Sequence, residues 1–204
     1  MNTSIIRKIT FAITLLFGFT LTTAIAQETT LTKKEQKALK KEEKRKAKEQ
    51  KKAEKEAYEK IIHEQAITAI DSQQFVLEAN QLYDRKGRTV NVQPNINFIK
   101  VSGDVGVVQI GSASLVGYNG VGGITVDGKI SDWKVRVDEK SNRTYVSFNI
   151  MGPTLTAKVT YDLDGVGNYA NCRIDGVFSS SELKMRGVLK PNSQSKTYQG
   201  MIRY

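Results

Sequence analysis

Hydrophobic and polar positions change their rhythm three times along the chain. Residues 9–23, ITFAITLLFGFTLTT, form an apolar run interrupted by Thr and Gly. Between 33 and 56 only Ala38, Leu39, Ala47 and Ala53 are apolar, and the rest is Lys, Glu, Gln and Arg. Tyr58, Ile61, Ile62, Gln65, Ala66, Ala69 and Ile70 then recur at steps of three and one, the spacing that lays side chains on one face of a 3.6-residue helix. From Gln74 the period drops to two: Phe75, Leu77 and Ala79 alternate with Val76, Glu78 and Asn80. Trp133, Val135 and Val137 repeat the device, as do Val146, Phe148 and Ile150, and Leu155, Ala157, Val159 and Tyr161. Such alternation predicts strands with one buried and one wet face.

Turn signals separate these strands at short intervals: DRKG at 84–87, VDGK at 126–129, EKSN at 139–142, MGP at 151–153, DLDGVGN at 162–168 and KPNSQS at 190–195. Eight to ten short strands without a crossover helix predict a mainly β fold, an antiparallel meander that closes into a barrel, lipocalin-like among the options, or folds into a sandwich. Barrel and sandwich share the same alternation. A domain of this size buries a sufficient core without disulfides, and its one cysteine, Cys172, allows none within the chain.

Ahead of the strands a long charged helix is expected. Thr32 and Glu35 stand as a T-x-x-E capping box. No Gly or Pro occurs between Leu31 and Lys86, and strong helix formers dominate the first half. Glu42 with Lys46 and Glu56 with Lys60 are spaced four apart in the favourable order. A coiled coil needs sustained apolar a and d positions, which residues 33–56 lack, so this reads as a single exposed helix. If continuous from 32 to 70 it is roughly 60 Å long at 1.5 Å per residue. The expected organisation is a leader over 1–26, a charged helical segment over 27–57, an amphipathic helix end over 58–72 that docks on the strands, and the β domain itself over 73–204.

The N-terminal run sets the compartment. Basic residues Arg7 and Lys8, the apolar stretch, and small residues at Ala24 and Ala26 have the layout of a secretory signal peptide, with cleavage between Ala26 and Gln27. The run is too short and too broken by Thr and Gly for a span of about 20 residues. Gln27 stands where a lipoprotein would need Cys, so lipid anchoring is not expected. The mature chain is placed in the periplasm or outside the cell, with no transmembrane span.

Charge then bears on partners. The formal net charge is +10, and residues 33–60 hold thirteen Lys or Arg against seven acids. A basic stretch is an electrostatic footprint for polyanions. In an exported protein this argues against nucleic acid and for an anionic envelope polymer or membrane surface. The candidate contacts are Lys40, Lys41, Lys44, Arg45, Lys48, Lys51 and Lys52. A solvated spacer is the plainer alternative, and a protein partner is left unspecified.

The catalytic inventory is thin. His63 is the only histidine and lies on the helix, where a half-exposed side chain is expected rather than a ligand. Cys172 alternates with Ala170 and Ile174, which suits a small buried hydrophobe better than a nucleophile. No zinc spacing occurs, and Asp162, Asp164 and Asn168 lack the further carboxylates of a calcium loop, so a hairpin turn is expected there. Gly117, Gly120, Gly122 and Gly123 lead into a strand rather than a helix, which favours a steric role over a phosphate-cradling one. No catalytic, cofactor-binding or metal-binding residue is assigned, and no cofactor is expected.

NGVGGITVDGKISDW at 119–133, NYANCRIDG at 168–176 and the closing YQGMIRY resemble the domain-of-unknown-function 4251 family of exported Gram-negative proteins, over about residues 65–204. The resemblance implies a secreted or periplasmic β-rich domain and brings no catalytic residues with it. The favoured reading is a non-enzymatic envelope module tethered through its basic helix. The alternatives are a barrel carrying a small apolar ligand behind positions such as Trp133, Phe148 and Tyr161, and a carboxylate-dependent hydrolase.

Overall fold

The computed structural model describes residues 32–83, 86–111, 123–154, 156–176 and 182–202. The expected signal peptide, its cleavage site at Ala26 and Gln27, Leu155, and the Gly-rich residues 117–122 lie outside them. Among the described residues one helix, α1 (Lys33–Asp71), precedes nine strands: β1 (Gln74–Tyr83), β2 (Thr89–Asn91), β3 (Phe98–Ser102), β4 (Val105–Ile110), β5 (Ile124–Asp138), β6 (Arg143–Met151), β7 (Thr156–Leu163), β8 (Tyr169–Gly176) and β9 (Glu182–Pro191).

The strands form one antiparallel sheet in the order β2-β1-β3-β4-β5-β6-β7-β8-β9, and β1 also pairs with β9. That last pairing runs from Phe75 opposite Pro191 to Tyr83 opposite Lys184 and closes an eight-stranded barrel, with β2 as a short addition beside β1. Closure settles the choice between barrel and sandwich. The bend it requires is supplied by irregularities at Ala79/Gln81 in β1 and Ser131/Lys134 in β5, since an extra residue kinks a strand and increases its twist.

Alternate residues point inward and fill the interior. Phe75, Leu77, Val146, Phe148, Ile150, Val159, Tyr161, Cys172 and Met185 are buried in one continuous core, which Ala66, Ala69 and Ile70 of α1 join. At its centre four rings meet. Trp133 stacks on Phe148 at 5.2 Å and 18°, and Phe75 meets Tyr161 edge-on at 5.4 Å and 82°. Centroid separations of 4.5–7 Å are those of favourable aromatic pairs. The side chains that a hollow barrel would turn towards a ligand pack on one another instead.

Two expectations need correction. VDGK at 126–129 is not a turn: it lies inside β5, fifteen residues long. Gly128 is there because a Cβ would come within 2.7 Å of the Met151 backbone, at the β6–β7 corner. Val135 and Val137, expected in the core, are 39% and 52% exposed. β4 pairs with β5 only from Ile124 to Lys129, so no strand among the described residues shelters the far half of β5 on that side.

After β9 a 3-10 turn (Asn192–Gln194) leads into a C-terminal segment fastened to the barrel by Gln109, which is fully buried. Its Nε2 donates to the carbonyls of Ile96 (3.1 Å) and Tyr198 (2.8 Å), and its Oε1 accepts from Thr125 Oγ1 (2.9 Å) and Gly200 N (2.8 Å). Every hydrogen-bonding site of a buried amide is thereby satisfied, which its burial demands. No helix among the described residues is long and apolar enough to cross a membrane.

Candidate anionic-surface interface

α1 begins with the capping box. Thr32 N and Oγ1 both donate to Glu35 Oε2 at 2.8 Å, and Glu35 N points back at Thr32 Oγ1 at 3.5 Å. The two bonds from Thr32 hold the Glu35 carboxyl below its ordinary value. The helix runs on without interruption and stops at Asp71, where Gln73 turns into the left-handed region at φ 53° and its N–H closes on the Ile70 carbonyl.

Between 33 and 58 every side chain is exposed. Four i,i+4 ion pairs run along this part: Lys46–Glu42 at 3.0 Å, Lys55–Glu59 at 3.5 Å, and Arg45–Glu49 and Lys52–Glu56 at 3.7 Å. Exposed pairs of this kind are each worth only about 0.3–0.5 kcal/mol. The distribution of charge round the axis matters more. With successive residues about 100° apart, Lys40, Lys51, Lys44, Lys48, Lys41, Lys52 and Arg45 follow one another within an arc of about 140°. Lys33, Lys34, Lys37 and Lys55 fall in the same arc, whereas every acid of the segment except Glu59 falls outside it. The seven candidate contacts therefore share one basic face, and Arg45–Glu49 and Lys52–Glu56 sit along its margin. Lys40, Lys41, Lys44, Lys48 and Lys51 make no ion pair among the described residues.

The other end of α1 packs on the barrel, on a face rotated from the one expected. His63, Ala66, Ala69 and Ile70 are buried, with Glu59, Ile62 and Ile67 half-buried beside them. Tyr58 and Ile61 are 63% and 53% exposed, and Gln65 is exposed as well. His63 is only 8% exposed, against the half-exposed position expected. Its Nδ1 lies 2.9 Å from the Gly167 carbonyl, and its Nε2 3.1 Å from Asn142 Nδ2, which also donates to the Gly165 carbonyl. The carbonyl requires a proton on Nδ1 and the amide requires a lone pair on Nε2, which is the neutral Nδ1–H tautomer. His63 thus clamps α1 to the β5–β6 and β7–β8 turns. The sequence does carry a signal of this, since 63, 66 and 70 share a helical face; polarity excludes His63 from the apolar pattern.

Groups with possible chemistry elsewhere are engaged. Cys172 is buried, and burial pushes its thiol well up, away from the reactive thiolate. Asp162 accepts from Arg143 Nε (2.9 Å) and a terminal guanidinium nitrogen (2.7 Å), and Asp164 lies 3.1 Å from the same guanidinium. These acids brace the β7–β8 turn, where Asp164 N bonds to the Tyr169 carbonyl. Among the described residues no three His, Cys, Asp or Glu side chains are grouped to hold a metal.

Comparison with known proteins adds relationship. The profile of a family described as "Domain of unknown function (DUF4251)" matches residues 53–189, from within α1 to the end of the barrel. The crystal structure of a DUF4251 family protein from Bacteroides eggerthii is 37% identical, with a TM-score of 0.59, covering 69% of this chain and 94% of that one. No match is found among curated proteins. The basic segment before residue 53 lies outside the family profile. With its barrel, its docked helix end and these matches, the chain belongs to the DUF4251 family.

Proposed function

We propose that this protein is a non-enzymatic module of the cell envelope, exported by a leader cleaved between Ala26 and Gln27 and held to anionic polymers or membrane surface by the basic face of α1. The observation that carries this reading is the segregation of charge. A solvated spacer needs charged residues but gains nothing from sorting them. Sorting them concentrates positive potential on one side, where a polyanion gains from many weak contacts at once. Leader and compartment rest on the order of basic, apolar and small residues at the N-terminus.

The test is cosedimentation of the mature protein with purified cell-wall sacculi and with outer-membrane vesicles across a salt series. Two variants accompany it. One replaces Lys40, Lys44, Lys48 and Lys51 with Gln; the other keeps the composition of residues 33–60 but intermixes its charges round the axis. Native protein is expected to bind at low salt and to be released as the Debye length shrinks below about 10 Å near 0.1 M. Both variants are expected to bind less. Equal binding by all three would make the basic segment a spacer.

A further inference from the structure

The outer surface of the barrel carries a trough across β6, β7, β8, β9 and β1, with a volume of about 460 Å³, open to solvent. Tyr145 and Tyr83 stand at its two extremes, Thr160 and Asn171 lie between them, and Arg173 and Lys184 line it. Register explains the grouping. Tyr145, Asp162, Asn171, Arg186 and Gln81 are successive cross-strand neighbours on the outward face, and Thr160, Arg173, Lys184 and Tyr83 form the adjacent row. Side chains in one row point the same way, and the short Thr160, Asp162 and Asn171 beside the longer tyrosine, arginine and lysine leave a depression whose floor is the sheet itself.

Its charge is uneven. Asp162 is held by Arg143, while Arg173 is bridged to Asp175 (2.8 Å) and Glu182 (3.0 Å), and Lys184 to Glu182 (2.7 Å). Positive charge remains at the borders of the trough, beside the residues that line it. Arg136, opposite Tyr145, lies over that ring at 4.4 Å, and Arg186, opposite Asn171, makes no ion pair among the described residues.

We infer that this trough binds an acidic oligosaccharide chain. An open channel crossing five strands suits a segment of a linear polymer rather than an enclosed apolar molecule. Pyranose rings present apolar C–H faces that pack on aromatic rings, and a rim of hydroxyls that pairs with amide, hydroxyl and carboxylate groups such as Asn171, Thr160 and Asp162. Arg136 and Arg186 select among such chains for those bearing carboxylates, because guanidinium pairs with a carboxylate through two parallel hydrogen bonds. The trough lies wholly on the barrel, so its occupancy does not depend on the basic face of α1.

The experiment titrates the full mature chain with tetragalacturonate, with neutral maltotetraose and with a short single-stranded oligonucleotide, following backbone amide shifts by NMR and affinity by calorimetry. Tetragalacturonate is expected to shift amides in β6 to β9 and to bind more tightly than maltotetraose. Tyr145→Ala should weaken it at least about tenfold, as loss of an aromatic anchor does. Tyr145→Phe should retain most of the affinity, and Arg186→Gln should remove the preference for the acidic chain. Unchanged denaturation midpoints establish that the variants fold. The inference is overturned if no shifts arise at about 10 mM ligand, a concentration that would reveal even millimolar affinity. Shifts confined to α1, affinity unaltered by Tyr145→Ala, or stronger binding of the oligonucleotide would each overturn it as well.

Discussion

Between residues 33 and 58 every side chain of α1 is exposed, whereas from His63 to Ile70 the same helix contributes four buried residues to the barrel. The first part is maintained by local terms: a capping box, strong helix formers and weak ion pairs. The second is maintained by burial and by the His63 clamp. One unbroken helix thus joins a part that keeps its surface free to a part that has given its surface up. Isolated helices are marginal in water, so the two parts should respond differently to the same disturbance.

The largest effect is expected at Ile70. Ile70→Ala opens a cavity where helix and barrel meet, at a cost of about 2–5 kcal/mol read from the urea midpoint. Helix content before residue 58 should hardly change. His63→Ala comes next, at about 1–3 kcal/mol, because Asn142 and the Gly167 carbonyl each lose a buried partner. If the clamp matters as described, amides of the β5–β6 and β7–β8 turns will exchange faster in this variant while those of β3 and β4 stay protected.

A smaller effect concerns pH at the free end. The Glu35 carboxyl titrates below its ordinary 4.5 in the folded helix, so its capping bonds support the first turn above that value and are lost as pH falls through the lowered one. Amide shifts at Glu35 and Gln36 should report fraying as pH falls through that lowered value while the barrel's midpoint stays constant, since the group lies at the surface of the helix terminus. The smallest effect is expected from Lys46→Ala, which removes one exposed pair worth a few tenths of a kcal/mol and leaves both the basic face and the barrel as they were.

How far the sequence can be read differs between these parts for a physical reason. Strand alternation depends on local chemistry, so it assigns Phe75, Leu77, Val146, Phe148 and Ile150 to the interior directly. The capping box is likewise local. Closure is not, because it is decided by β1 meeting β9, and nothing in either strand distinguishes that pairing from a sandwich edge. Asp127 and Gly128 imitate a turn because glycine serves tight bends and close approach equally well; only the position of Met151 tells them apart. Val135 and Val137 carry the right alternation but lose their cover where β4 ends. The trough is invisible in the sequence because Tyr83 and Tyr145 come to border one surface only through the register of five strands.

Joining β1 to β9 also orders events in time. Phe75 finds its partner at Pro191, so the first strand made must wait for the last before the ring is complete. Contacts between such distant parts of a chain form slowly, because the intervening loop must close first. Until then both rims of the incomplete sheet expose unpaired backbone groups, the usual starting point for association between chains. For this protein the hazardous interval lasts until β9 has joined β1. Conditions that lengthen that interval will lower the yield of native barrel without altering the stability of the barrels that form.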